Sequence, residues 1–220
     1  MLNIQQKYLP KGLRRGGNLI TPKVLFIVAH DTGNDGATAQ NHVNYYTNTY
    51  NDQQVSAHTF IDDTAIFEVV PLNEKAWHVR YNVDTDNKIY GYDANDTAIG
   101  VELCYSTKGN IDNLKAYTNY CEYIAYLCLK FNLDPFTQIV AHSKLDPTRR
   151  TDPMNAFQFQ NPAKDWNTFL GDVNKIYQAQ KPKPPTVDNP TGTPSELICA
   201  STGKRAILDT IMELVKQLFK

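Results

Sequence analysis

Cysteine is scarce and scattered in this sequence, which removes several classes of protein at once. The four cysteines, Cys104, Cys121, Cys128 and Cys199, form no C-x-x-C pair, so neither a zinc ribbon nor a thioredoxin-type redox motif is present. Cys121 and Cys128 lie in an apolar stretch at helical spacing, as small hydrophobes filling a core do, and no disulfide is expected. Long apolar runs are missing too. No window of about 18 apolar residues occurs, so membrane insertion is not expected. The opening MLNIQQKYLPKGLRRGG has no apolar run of signal-peptide length, so the chain is expected to stay in the cytoplasm of the producing cell until something else releases it. Nor is there an excess of either charge: 22 basic and 23 acidic residues leave a formal net charge of -1, with no bulk attraction for nucleic acid or anionic lipid. No repeat of about 20 to 50 residues is visible.

What is present is 41% hydrophobic residues in 220, enough for one substantial core with a small appendage. Residues 24–29 (VLFIVA) are a short continuous apolar run that ends directly at His30, the pattern of a strand buried on both faces. Residues 98–105 (AIGVELCY) read the same way, and residues 137–141 are a further short strand ending at His142. Residues 55–62 alternate as a strand, with 65–70 as the hairpin partner. Helical spacing appears at residues 38–50, 113–131 and 163–178, with Trp166, Leu170 and Ile176 of the last available to the core and His42 of the first read as exposed. Strands interleaved with helices predict a three-layer α/β domain, here bounded at residues 1–180.

Residues 181–195 are rich in proline (KPKPPTVDNPTGTP) and read as an extended, semi-rigid linker. Residues 196–220 form the last element, in which Ile207, Leu208, Ile211, Leu214, Val215 and Leu218 fall on one helical face. A lone amphipathic helix cannot bury that stripe on itself. It is expected to target the chain to a surface, to mediate self-association, or to cap the domain before it.

The candidate chemistry gathers at strand ends, where α/β sheets place their ligands. His30 and His142 each close an apolar run, and Asp152 follows in HSKLDPTRRTDP, a turn-rich segment able to fold back toward His142. Either histidine alone could be an ordinary structural residue. Together with the carboxylate they make a three-ligand set for one zinc ion per chain, whose open fourth position would bring the pKa of a bound water to about 7.

In these residues the chain resembles the type-2 N-acetylmuramoyl-L-alanine amidases, which include phage endolysins and share their fold with animal peptidoglycan recognition proteins. The resemblance runs over residues 4–170, through IQQKYLPKG, FIVAHDTGN, SAHTFIDD with PLNEKAWHV, AIGVELCY and VAHSKLDPTRRTDPMNAF in that order. It implies a central mixed β-sheet flanked by helices, with bacterial peptidoglycan as partner. It also implies zinc-dependent hydrolysis of the amide between N-acetylmuramic acid and L-alanine, and a host-lysis setting. Carried over by position, His30, His142 and Asp152 hold the metal, with Asp152 standing where many relatives have cysteine. Glu102, in IGVE, is the general base. Arg150 replaces the lysine that steadies the oxyanion in many relatives, keeping its charge but not its geometry, and Arg149 is an alternative for that role. His58, Trp77 and His78 fall in stretches that line the substrate groove. Some proteins of this fold have lost a zinc ligand and only bind muropeptides; the presence of all three ligands and Glu102 favours the enzyme over such a binding module.

Overall fold

The computed structural model describes residues 2–81 and 83–181, so the linker and helix expected over 181–220 lie outside the described residues apart from Lys181. In chain order the elements are β1 (Ile4–Gln6), β2 (Phe26–Asp31), α1 (Ala39–Asn48), β3 (Thr59–Ile61), β4 (Ile66–Glu68), α2 (Asp84–Tyr90), α3 (Ala94–Thr97), β5 (Ala98–Leu103), α4 (Asn113–Phe131), β6 (Ile139–Ala141), α5 (His142–Leu145), α6 (Met154–Phe157) and α7 (Trp166–Gln180). The strands form one sheet in the order β1-β4-β3-β5-β2-β6. β3, β5, β2 and β6 run parallel, β4 is antiparallel to β3, and β1 is parallel to β4. The sheet is therefore mixed, as expected, and its parallel strands all finish at the same edge.

Local chemistry sets the helix boundaries. Thr38 caps α1 through a reciprocal box with Asn41: its hydroxyl accepts from the Asn41 amide at 3.2 Å and its own amide donates to Asn41 Oδ1 at 3.0 Å. Asp112 caps α4 by accepting from the Lys115 amide, and Asn132, left-handed at φ 54°, ends it. Asp165 does the same for α7 through Thr168.

Alternation along β2 divides the interior. Ile27 and Ala29 belong to the main core with α4 and α7, whereas Phe26 and Val28 join a smaller cluster with Ala94, Ala98, Val140 and Leu145. On that second face Tyr90 of α2 stacks on Phe26 at 3.8 Å, and His42 of α1 stacks on Phe60 of β3 at 4.8 Å. Helices thus cover both faces of the sheet and make three layers.

Several expectations need correction. β2 continues through His30 and Asp31 instead of stopping before them, because β5 pairs with it along its whole length. The strand expected over 55–62 is only Thr59–Ile61. α7 starts later, at Trp166, and buries Phe169, Leu170, Val173 and Tyr177, while Trp166 and Ile176 are only partly covered. His42 is buried, not exposed, because its ring lies flat on Phe60. β1, α2 and α3 were not legible: each is short and takes its place from its neighbours. Cys104, Cys121 and Cys128 are free and buried. Among the described residues no helix is long and apolar enough to cross a membrane.

Candidate metal and active site

The site is a continuation of the second face of the sheet past the apolar cluster. In the β2–β5 ladder Phe26 pairs with Ala98, Val28 with Gly100 and His30 with Glu102, so these side chains leave the sheet on the same side. Ala29 pairs with Ala141 of β6, which brings His142, the next residue, level with His30. Tyr120 of α4 pins this edge from below, its hydroxyl donating toward the carbonyls of His30 and Val101 at 3.1 and 3.2 Å.

Asp152 reaches the same point through a loop closed by its own backbone. The Asp146 carbonyl accepts from the amides of Arg149 and Arg150, the Arg149 guanidinium pairs with the Asp146 carboxylate, and the Ser143 amide donates to the Asp152 carbonyl at 3.0 Å. Asp152 Oδ2 then lies 3.0 Å from His30 Nδ1 and 2.9 Å from His142 Nδ1. One ligand atom from each of the three residues falls within 4.8 Å of the others, and all three are buried. Tetrahedral donors about 2.1 Å from a zinc ion stand roughly 3.4 Å from one another. Two imidazole nitrogens and a carboxylate oxygen within 4.8 Å of one another are the right donor types, near enough to share such an ion. The arrangement also leaves His142 Nε2, His78 Nε2, Trp77 Nε1 and Glu102 Oε2 buried without partners among the described residues.

The electrostatics follow from burial and from this crowding. Removal from water, reinforced by His142, pulls the His30 pKa down to about 4 against the pull of Asp152 in the other direction, so the ring is neutral and able to bind a metal. Burial by itself would raise the Asp152 carboxyl, but hydrogen bonds from His142 and His30 outweigh it and hold the group ionised well below the usual range. Glu102 goes the opposite way. Burial, and then the charges of Asp152 and Asp31, push its pKa well above normal, with Arg150 opposing. Two carboxylates in one cavity are thus driven apart in acidity, an arrangement suited to a ligand and a proton carrier.

These groups line a cavity of about 250 Å³ together with Tyr46, Trp77, His78, Arg149 and Arg150. A second hollow of about 530 Å³ shares Val55, Trp77, His78 and both arginines and adds Arg80 and Tyr81. Trp77 and His78 therefore stand on the wall between the two. His58 does not: it is fully buried, receives the Gly100 amide on Nδ1 at 3.0 Å and holds the Glu74 carbonyl through Nε2 at 2.9 Å. Both its nitrogens are committed to backbone, so the groove-lining expectation for His58 is corrected to a structural one.

Three contributors were not read from the sequence. Asp31 accepts from the amides of Gly33 and Ala156 and from Asn155 Nδ2, tying the end of β2 to the segment after Asp152. Its position beside His30 was the available signal, but a carboxylate at a strand end reads first as a turn former. Tyr46 reaches the cavity from α1, backed by the buried Arg14, whose guanidinium lies 4.2 Å from its ring and donates to the carbonyls of Thr49 and Val55. Nothing local marks either.

A mixed α/β sheet whose parallel strands end in a buried His-His-Asp set able to hold a metal ion, beside a glutamate whose Oε2 has no partner among the described residues, defines a class of α/β domain with its candidate site at one sheet edge. Within that class the chain matches the family described as N-acetylmuramoyl-L-alanine amidase over residues 21–155, and it belongs to that family. The N-acetylmuramoyl-L-alanine amidase XlyA of Bacillus subtilis (strain 168) is 32% identical over 165 residues, 72% of this chain and 50% of the relative. The N-acetylmuramoyl-L-alanine amidase CwlA of a Bacillus species is 31% identical over 159 residues, covering 70% and 59%. The chain thus spans about half the length of the curated relatives it matches. The solved catalytic domain of XlyA aligns with a TM-score of 0.61 at 28% identity, covering 78% of this chain and 99% of that one. A mutant endolysin from Bacillus subtilis aligns equally well, at 27% identity.

Proposed function

We propose that this chain is a zinc-dependent N-acetylmuramoyl-L-alanine amidase of the endolysin type, cutting the amide between N-acetylmuramic acid and L-alanine in bacterial peptidoglycan. The observation that carries the reading is the pairing of a buried His-His-Asp donor set, its aspartate held ionised, with a glutamate carboxyl pushed the opposite way in the same cavity. The names of the relatives supply the substrate, and the endolysin name of one structural neighbour supplies the lytic setting.

His30, His142 and Asp152 would hold the ion, which when bound supplies Lewis acidity and an acidified water. Glu102 takes a proton from the attacking water and passes it to the departing amine of L-alanine. Its raised pKa suits the second half of that task, and the metal charge eases the first. Arg150 offers a fixed positive charge to the oxygen that becomes anionic as the carbonyl is attacked. Trp77 and His78 form the wall against which the substrate lies.

The test is zinc content and clearing of cell-wall suspensions for the wild type, His142→Ala and Glu102→Ala. One zinc per chain, lost with lysis in His142→Ala and kept without lysis in Glu102→Ala, is the expected result. A folded wild type that binds muropeptide without zinc would replace the enzyme with a binding module of the same fold.

A further inference from the structure

His78 has a second contact that its place on the cavity wall does not require. Its Nδ1 lies 3.1 Å from His30 Nε2, the ring nitrogen that points away from Asp152. The His30 and His78 rings meet edge to face, 5.2 Å between centroids. We propose that His78 is a positioning residue for the metal: it accepts the Nε2 proton of His30 and so holds that imidazole with its Nδ1 lone pair turned toward Asp152 and His142. The inference rests on the metal-site reading above.

The argument is one of proton placement. A histidine can ligate through Nδ1 only when its proton sits on Nε2, and a buried N–H needs an acceptor. Within hydrogen-bond distance of His30 Nε2 the structure places His78 Nδ1 and no other recorded partner among the described residues.

The surroundings hold His78 in that attitude. Its backbone amide donates to Asn95 Oδ1 at 2.9 Å, and Asn95 Nδ2 returns a bond to the Val79 carbonyl at 3.0 Å. Its ring lies directly over Gly100: a Cβ there would come 2.4 Å from His78 Cγ, closer than any real contact. The Gly100 amide is itself fixed by His58 Nδ1. A glycine between Ile99 and Glu102 therefore clears the space for the ring that supports His30, and the buried His58 keeps that glycine in place.

The test compares zinc affinity, by competition with a chelator, in the full chain carrying His78→Phe and His78→Asn. Phenylalanine keeps a ring over Gly100 but offers no acceptor; asparagine puts an amide oxygen near the position of Nδ1. His78→Phe is expected to bind zinc about 10- to 100-fold more weakly, and His78→Asn to recover most of that loss. Unchanged affinity in a folded His78→Phe, or an equal loss in both variants, overturns the proposal. Nitrogen-15 NMR of the zinc-loaded wild type gives an answer independent of variant folding. His30 should carry its proton on Nε2, and His78, whose own Nε2 is buried without a partner among the described residues, should carry none on Nδ1; a proton on His78 Nδ1 would refute the role. A wild type that binds no zinc would instead sink the metal reading on which this one rests.

Discussion

His30 and Glu102 are paired residues on adjacent parallel strands, so the proposed ligand and the proposed base leave the sheet side by side. Neither can move without the ladder. The ionisation of each is set by what that shared rung faces: His30 turns toward Asp152, and Glu102 is left without a partner for Oε2.

Glu102→Gln should separate chemistry from stability. Loss of a general acid–base typically costs 10² to 10⁴-fold in rate, while zinc content stays at the wild-type level. Because Glu102 Oε2 is buried without a partner among the described residues and loss of water raises the carboxyl's pKa, the neutral amide should melt at or above the wild-type temperature near pH 7. Thermal melting beside wall-clearing assays checks both halves, and a variant that lyses normally would remove Glu102 from the mechanism.

Asp152 should be replaceable only by another anionic ligand. Asp152→Ala leaves two imidazoles without the oxygen that lies 2.9 and 3.0 Å from them, and zinc should be lost on dialysis together with lysis. Asp152→Cys should keep the ion, since a thiolate is an equally good zinc ligand. Chelation of the wild type should abolish lysis, and added zinc should restore it.

The two arginines should part company. Arg150→Ala is expected to lower kcat by about 10²-fold with a smaller change in KM, as loss of an oxyanion donor does, and Arg150→Lys should retain more activity. Arg149 is tied to Asp146 within the loop that carries Asp152. Arg149→Ala should therefore lower zinc affinity more than it lowers the turnover of the zinc-loaded enzyme. Steady-state kinetics at saturating zinc distinguish the two, and equal kinetic losses would dissolve the distinction.

His42 should make the fold acid-sensitive. Burial brings its pKa to about 4 in the folded chain, from an ordinary 6.5. The unfolded chain takes up this proton first, so the stabilisation is complete above about pH 6.5. It is lost progressively as pH falls toward 4, on the order of 3 kcal/mol in all. His42→Phe keeps the stacking on Phe60 and removes the unpartnered Nε2. Its melting temperature should fall less steeply between pH 6.5 and 4; some slope will persist, because His58 is displaced in the same direction. Identical slopes would argue against a buried neutral His42.

Much of this was readable along the chain, for identifiable reasons. The strands of 26–31 and 98–103 are continuous apolar runs, and α4 has both a strong periodicity and an aspartate cap; such signals are local. The candidate metal ligands could be proposed because each histidine directly follows an apolar run and the turn-rich stretch after His142 limits where Asp152 can go. β1, α2 and α3 have no apolar run or sustained periodicity of that kind, although Asp93 caps α3. Three to seven residues each, they are ordered by what they pack against.

What the sequence by itself determined, then, is five of the six strands, the long helices and the candidate donors, two of them at strand ends, since side-chain periodicity and turn chemistry act between near neighbours. Only the tertiary structure decided the state and task of those donors. It showed that His58 serves backbone while His78 touches His30, that His42 is buried, and that Glu102 and Asp152 are driven apart in acidity. These depend on distances between residues 16 to more than 100 positions apart and on exclusion of water, and no local pattern encodes either.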